Sequence, residues 1–132
     1  MTENLISNGR KRYFFDTYAL IEILNDNPRY FDYKDLSILT GLLNYGELLY
    51  HIMKEGKEKQ SARFMFAIRK SVLQVGIFDM VEAMKFRYSN IKLKFSFVDS
   101  VGYAMAKRRG LVFLTGDKQF EHMPNVEFVK KD

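Results

Sequence analysis

Short, largely apolar runs alternate along the chain with longer stretches in which apolar residues recur every three or four positions. The run at residues 111–114 is unbroken and has the pattern of a strand buried on both faces of a parallel sheet, and short strands are also predicted over residues 13–15, 73–77 and 126–129. The periodic stretches predict helices, which cover residues 17–24, 42–54, 57–70, 80–88 and 97–109. Strands that alternate with helices predict an α/β sandwich with a mostly parallel central sheet.

Local residue signals indicate where two of these helices begin or end. The first helix is expected to stop at residues 25–28, where Asn-Asp-Asn-Pro breaks it, and a polar loop is predicted around residues 31–35. Ser96 and Asp99 have the spacing of a capping box that opens the last helix. At the other end of that helix, Gly110 can adopt the left-handed conformation that closes it.

No linker, internal repeat or low-complexity tract interrupts this pattern, so one domain is expected. Residues 1–10 are polar and are predicted to form a frayed leader, which leaves residues 11–132 as the domain. A length of 132 residues and a hydrophobic content of 47% are enough for one core and argue against a disordered chain.

Cysteine is absent from the sequence. This excludes a disulfide framework, a thiolate zinc site, an iron–sulfur cluster and a thiol nucleophile. Without disulfides or a recognisable signal sequence, the protein is expected in the cytoplasm. No segment approaches the roughly 20 apolar residues that a membrane-spanning helix needs, so no membrane association is expected.

The chain carries 21 Lys and Arg against 16 Asp and Glu, a formal net charge of +5. The basic residues cluster at positions 10–12, 69–70 and 107–109. Such clusters fit an anionic partner, with nucleic acid first, but small domains also carry a charge of this size for solubility alone.

Two acidic residues lie at the ends of predicted strands. Asp16 comes after the first strand, and Asp117 lies in the Thr-Gly-Asp turn after residues 111–114. Each has an ordinary structural interpretation, Asp16 as a helix N-cap and Asp117 as a turn residue. Because ligands of parallel sheets bind beyond the carboxyl ends of the strands, both are also candidates for a functional site.

Two further acids lie on predicted helices. Asp99 can serve in the capping box with Ser96, but its neighbours at helical spacing are small or apolar, which favours an inward-facing carboxylate. Glu47 lies at the edge of a polar arc, where a solvated side chain is the simpler interpretation. Glu47 and His51 are four residues apart, but two histidines in the whole chain and no HExxH pattern argue against zinc.

The four acids acquire a chemical meaning if the fold brings them together. Converging carboxylates must be protonated or neutralised by a cation, and ligands that are all oxygen select Mg²⁺ or Mn²⁺ over zinc. Such ions activate water and stabilise a phosphoryl transition state. On a basic protein this combination indicates metal-dependent phosphodiester hydrolysis.

Four segments in a fixed order resemble the PIN-domain nucleases, and within that family the small prokaryotic toxins of the VapC type. They are residues 14–17 (FFDT) with 19–21 (ALI), 46–50 (GELLY), 97–106 (FVDSVGYAMA) and 114–120 (LTGDKQF). The resemblance spans residues 13–129, although residues 57–89 carry no motif that aligns, and Ser100 stands where alanine is common. It implies a PIN-like three-layer sandwich, in which helices flank the central sheet and an acidic pocket lies at one edge.

The resemblance also implies roles for particular residues. The catalytic and metal-binding acids would be Asp16, Glu47, Asp99 and Asp117, with Glu47 as a ligand or as the group that orients the attacking water. Thr115 matches a hydroxyl residue that supports such clusters. Toxins of this type are ribonucleases that use Mg²⁺ or Mn²⁺, form homodimers and are silenced by an antitoxin protein.

These observations predict a Mg²⁺- or Mn²⁺-dependent endoribonuclease, the toxin of a toxin–antitoxin pair. The predicted phosphate contacts are Arg108, Arg109 and Lys118, each of which can also be an ordinary solvated basic residue. A PIN-type nuclease of RNA processing or DNA repair, or a non-catalytic module that binds nucleic acid or protein, are the alternatives. A phosphatase with Asp16 as nucleophile is disfavoured, because Tyr18 stands where its second aspartate belongs.

Overall fold

Short parallel strands form the centre of the protein in a computed structural model, which describes residues 11–132. In chain order the strands are β1 (Tyr13–Phe15), β2 (Thr40–Gly41), β3 (Val72–Leu73), β4 (Val112–Thr115) and β5 (Val126–Phe128). They form two sets: a three-stranded set of order β1-β4-β5, and a two-stranded set in which β2 pairs with β3. A parallel bridge between Phe14 and Leu39, with a 2.8 Å hydrogen bond from Phe15 N to Leu39 O, joins the two sets.

Helices fill the connections between the strands. They are α1 (Thr17–Leu24), α2 (Phe31–Lys34), α3 (Leu42–Lys54), α4 (Glu58–Ile68), α5 (Ile77–Ser89) and α6 (Phe97–Arg108). Short 3₁₀ turns cover Pro28–Tyr30, Arg69–Ser71, Ile91–Leu93 and Lys118–Phe120. Within the described part of the chain, no helix is both long enough and apolar enough to cross a bilayer.

The sheet separates two apolar cores, because successive side chains of a strand point to opposite faces. Phe14 pairs in register with Phe113, and both belong to the core against α5 and α6. The next pair, Phe15 and Leu114, belongs to the core against α1, α3 and α4. All four side chains have no exposed surface. The predicted three-layer α/β sandwich with a parallel sheet is therefore confirmed.

The last helix begins and ends as its sequence signals predict. Ser96 Oγ accepts a hydrogen bond from Asp99 N, and Asp99 Oδ2 accepts one from Ser96 N, each at 3.0 Å. At the other end, Gly110 has a φ of +68°, the left-handed region that favours glycine. These two signals define α6 because each satisfies backbone groups that a helix end leaves unpaired.

Other boundaries differ from the predictions. The predicted polar loop at residues 31–35 is wrong, since α2 occupies most of it, and β2 has no counterpart in the predictions. The strand predicted over residues 73–77 is Val72–Leu73 only. Asp79 Oδ2 accepts a 2.7 Å hydrogen bond from Gly76 N, so α5 begins at Ile77, three residues earlier than predicted. The predicted leader, residues 1–10, lies outside the described residues.

Candidate active site

Asp16 lies at the carboxyl edge of the sheet, immediately after β1, and only 3% of its surface is exposed. Thr115, the last residue of the neighbouring strand β4, is completely buried beside it. The Thr115 hydroxyl donates a 2.7 Å hydrogen bond to Asp16 Oδ2. The parallel pairing of β1 and β4 produces this contact, because it brings both strand ends to the same edge.

The other oxygen of the Asp16 carboxylate is held from two directions. Thr17 N donates to Asp16 Oδ1 at 2.9 Å, the helix-capping contact that the sequence allows. Asn44 Nδ2 lies 3.3 Å from the same oxygen and 3.1 Å from Thr17 Oγ1. Asn44 belongs to α3 and is 1% exposed, so it supports the Asp16 carboxylate from inside the protein.

Glu47 lies on α3 close to Asn44, with an exposed side chain. Its Oε1 accepts a 2.7 Å hydrogen bond from the Thr17 hydroxyl. Thr17 Oγ1 also accepts the hydrogen bond from Asn44 Nδ2. One hydroxyl at the start of α1 therefore links Glu47 to the residues that hold Asp16.

Asp117 is connected to Asp16 through Thr115. Its backbone N donates to Thr115 Oγ1 at 3.0 Å, and its Oδ1 accepts from Gln119 N at 3.0 Å. Asp99 approaches from the first turn of α6, where the capping box with Ser96 occupies its Oδ2. Both carboxylates are half-buried.

Electrostatic effects show that these carboxylates act on one another. The pKa of Asp16 is raised to about 8, mainly by burial and also by the charges of Asp99 and Asp117, while the hydrogen bonds from Thr115 and Thr17 lower it. Burial also raises the pKa of Asp99, and the charge of Asp117 adds to that effect. A cation would relieve this repulsion, because it stabilises the ionised form of each acid.

The donor chemistry of these residues fits a hard divalent cation, since every candidate ligand is a carboxylate oxygen. Among residues 11–132, however, no group of three or more His, Cys, Asp or Glu side chains could hold a metal ion as arranged. Mg²⁺ keeps several of its water ligands and is commonly bound through one or two carboxylates and substrate phosphates. The residues present therefore fit an ion of this type that completes its coordination with water and substrate.

The predicted basic residues take up different positions. Lys118 directly follows Asp117 and is exposed. Arg108 and Arg109 lie at the other end of α6 from Asp99, about 14 Å along the helix axis. Both bind the completely buried carboxylate of Asp79, through contacts of 2.7 Å from Arg108 and 2.8 Å from Arg109. The fold therefore places these two arginines at Asp79 and away from the four acids of the candidate active site.

Several contacts around the site and along α6 could not be foreseen from the sequence. Thr17 belongs to the FFDT segment but had no predicted role, and Asn44 only shares the polar arc of its helix with Glu47. Asp79 is not recognisable as the partner of the arginines, because 29 or more positions separate them. Ser100, which departs from the usual alanine, is buried, and its hydroxyl donates to Ser96 O at 2.9 Å.

Known proteins share this architecture. The model of the PIN domain family matches residues 13–126, most of the chain. A toxin–antitoxin complex from Klebsiella pneumoniae aligns with a TM-score of 0.70 at 16% identity, covering 87% of this chain and 95% of the other. Mycobacterium tuberculosis VapC20, a toxin that cleaves the sarcin–ricin loop, aligns with a TM-score of 0.73 at 21% identity, covering 89% and 98%.

A third similar structure, from Pyrobaculum aerophilum, has a TM-score of 0.62 at 19% identity and covers 98% of this chain and 91% of its own. These identities are low, so the likeness to each structure shows a shared fold. A search of curated protein sequences finds no significant match.

Proposed function

Because the chain belongs to the PIN domain family, whose members are nucleases, we propose that it is a divalent-metal-dependent endoribonuclease. One observation carries the proposal: Asp16 is buried at the carboxyl edge of the sheet, in the electrostatic field of Asp99 and Asp117. Carboxylates in such surroundings are stabilised in their ionised form by a cation. A divalent cation bound at this edge of the sheet, in a protein with a net positive charge, suits the hydrolysis of a polyanion such as RNA.

The ligands of Mg²⁺ or Mn²⁺ would come from Asp16, Asp99 and Asp117, with water and substrate completing the coordination, and Glu47 would be a further ligand or the group that orients water. When bound, such an ion lowers the pKa of water and offsets the charge of the phosphoryl transition state. The geometric support for these assignments is the hydrogen-bonding of Asp16 and Glu47 to their neighbours.

The residues around the acids have a positioning role in this proposal. Thr115 and Asn44 hold the two oxygens of Asp16 from opposite sides, which limits rotation of its carboxylate. Thr17 holds Glu47 through its hydroxyl, so that a carboxylate on an exposed helix face keeps a defined position. Restricted carboxylates favour catalysis, because less reorganisation is needed as charge develops on the substrate.

We also propose that the protein is the toxin of a toxin–antitoxin pair in the cytoplasm, with an antitoxin protein as its inhibitor and RNA as its substrate. A homodimer is part of this proposal. Large exposed apolar side chains on α5 and the turn after it support an association surface, and they include Ile77, Phe78, Tyr88 and Ile91. Light scattering of the purified chain tests the dimer, which should have twice the 15.6 kDa mass of one chain.

The direct test is cleavage of structured RNA and single-stranded DNA with Mn²⁺, Mg²⁺ or EDTA. We expect RNA cleavage that requires a metal and disappears in Asp16→Asn and Asp99→Asn, while circular dichroism shows that both variants fold. Undiminished cleavage by both variants contradicts the proposed site. Cleavage of DNA in preference to RNA would instead favour a nuclease of DNA repair.

A non-catalytic binding module is the second candidate. The observation that favours it is the absence, among the described residues, of a ready-made group of three metal-binding side chains. Isothermal titration with Mn²⁺ separates the two functions. Binding that Asp16→Asn removes supports the nuclease, whereas no binding by the unaltered protein, even with a non-cleavable RNA present, favours the module.

A further inference from the structure

A groove of about 480 Å³ lies directly beside Asp117, on the β5 side of the candidate active site. The rings of Tyr18 and Phe128 line it together with Lys118, Lys130 and Lys131, and Asp132 lies at the same groove. The groove therefore adjoins one acid of the proposed site, and its three lysines outnumber the carboxylates of Asp117 and Asp132. Apart from Asp117, no residue of the groove has a part in the roles proposed above for the four acids.

The aromatic wall is built into the fold. Tyr18 lies on α1 two residues after Asp16, and 36% of its surface is exposed. A Cβ atom at Gly116 would lie 2.8 Å from two ring carbons of Tyr18 and 2.7 Å from the Tyr30 hydroxyl. Glycine at this position therefore allows the Tyr18 ring to lie against the backbone of the groove.

The basic wall is anchored on both sides of Lys130. Val129 N donates to Thr115 O at 2.9 Å, and the Tyr30 hydroxyl donates to Val129 O at 2.7 Å. On the other side, Asn27 Nδ2 donates to Lys131 O at 2.7 Å. Lys130 is exposed between these two fixed positions. The backbone of Lys130 consequently has a defined position at the groove, which Lys118 and Lys131 also line.

Asn27 is itself fixed from the interior of the protein. Its Nδ2 also donates to Glu22 Oε1 at 2.8 Å, and Glu22 is 5% exposed. Its Oδ1 accepts from Arg29 N at 3.0 Å and caps the Pro28–Tyr30 turn. The segment that carries Lys130 is thus tied through Asn27 to a buried side chain of α1.

We infer that this groove is a subsite for single-stranded RNA, which binds the nucleotides next to the scissile phosphodiester. The lysines would contact phosphates, and the faces of Phe128 and Tyr18 would stack on bases, the combination that proteins use for single strands. An acidic peptide would use the lysines but has no planar bases to stack on two rings. This inference rests on the proposed function, because that function identifies RNA as the ligand.

The test measures binding apart from cleavage. A fluorescent single-stranded RNA of about 12 nucleotides is titrated with the full chain in EDTA, at several salt concentrations. We expect Lys118→Ala and Lys130→Ala each to reduce the slope of log K against log salt by about 0.7, the value for one lost phosphate contact on a single strand. Lys59→Ala, an exposed lysine of α4 outside the groove, should leave the slope unchanged.

The aromatic part is tested with Phe128→Leu, which keeps an apolar side chain in β5 but removes the ring. Base stacking on an aromatic side chain contributes enough that we expect the Kd to rise by about tenfold with no change in slope. Circular dichroism melting verifies that the variant folds. Phe128→Tyr retains the ring and should restore binding close to that of the unaltered protein.

RNA binding by the groove variants that equals binding by the unaltered protein overturns the inference, even if RNA cleavage is observed. The inference is also overturned if those variants lose binding to a Glu-rich peptide and not to RNA, which would assign the groove to a protein partner. Groove-dependent RNA binding without cleavage in any metal would support the subsite and contradict the nuclease. The two proposals can therefore fail separately.

Discussion

The Thr115 hydroxyl donates a 2.7 Å hydrogen bond to Asp16 Oδ2, joining residues that are 99 positions apart in the sequence. The same hydroxyl oxygen accepts a hydrogen bond from Asp117 N at 3.0 Å. One buried hydroxyl therefore connects two of the candidate metal ligands. Its hydrogen bond also lowers the pKa of Asp16, against the larger effect of burial.

Thr115→Val is predicted to weaken Mn²⁺ binding and RNA cleavage by about 10- to 100-fold, the usual effect of removing a partner that orients a metal ligand. The substitution has nearly the same shape but cannot donate to Asp16 or accept from Asp117 N. Titration calorimetry and cleavage rates measure the two effects. Thr115→Ser retains the hydroxyl and serves as the control, so equal losses in both variants would contradict this role.

Asp16→Asn is predicted to make the metal-free protein more stable at pH 8 than the unaltered chain, although it abolishes cleavage. The folded-state pKa of about 8 lies above the ordinary value of 3.8, so folding takes up a proton between these values. Stability that Asp16 provides when protonated is consequently lost as the pH rises from about 4 to 8. The neutral amide has no such dependence.

Urea unfolding in EDTA at pH 5 and pH 8 measures this difference. We expect the advantage of Asp16→Asn to grow with pH and to exceed about 1 kcal/mol at pH 8. Asp35→Asn, which makes the same substitution at an exposed acid that follows α2, is the matched control. If Asp16→Asn is less stable than the unaltered chain at both pH values, the ionised Asp16 carboxylate does not destabilise the fold.

Glu47→Gln is predicted to reduce RNA cleavage by at least about tenfold while leaving stability unchanged. The amide oxygen can still accept the hydrogen bond from Thr17, so the substitution removes charge with little change of shape. Single-turnover cleavage with saturating Mn²⁺ measures the effect. Glu55→Gln follows the end of the same helix and should behave like the unaltered protein. If both variants cleave at the normal rate, Glu47 is only a solvated side chain.

Asp79→Asn is predicted to destabilise the protein by about 3 kcal/mol, because it leaves two arginines without their buried partner. This predicted destabilisation is at the low end of the range for breaking a buried ion pair, because both arginines retain contact with solvent. Glu82→Gln removes the exposed 3.7 Å ion pair with Lys85 from the same helix, and it should cost less than about 0.5 kcal/mol. Equal urea midpoints for the two variants would contradict the buried ion-pair assignment.

The same ion pair predicts an acid-dependent loss of stability. The hydrogen bond from Arg109 is the main reason why the pKa of Asp79 lies well below its ordinary value of 3.8. A lowered folded-state pKa stabilises the fold above pH 4, and this contribution is lost as the pH falls further. Urea unfolding between pH 5 and pH 2 should show a smaller pH dependence for Asp79→Asn than for the unaltered chain.

The positions of α1, α3 and α6 were predictable because their signals are local. Apolar periodicity outlines α1 and α3, and both ends of α6 follow from Ser96 with Asp99 and from Gly110. The strand β2 was not predictable, because two residues are too few to show a pattern and its pairing with β3 involves a distant segment. The beginning of α5 was not predictable either, because Gly76 gives no side-chain capping signal.

The sequence by itself determined the α/β order, the two strand-end acids and the family resemblance, since each depends on residues close together in the chain. Only the tertiary structure decided that Asn44 holds Asp16 together with Thr115, whose support the resemblance implied, and that Arg108 and Arg109 bind Asp79 away from the candidate site. These contacts join residues 28 to 99 positions apart. Parallel strand pairing and helix packing create these contacts. The residue pattern of a single segment does not show which distant segment will pack against it.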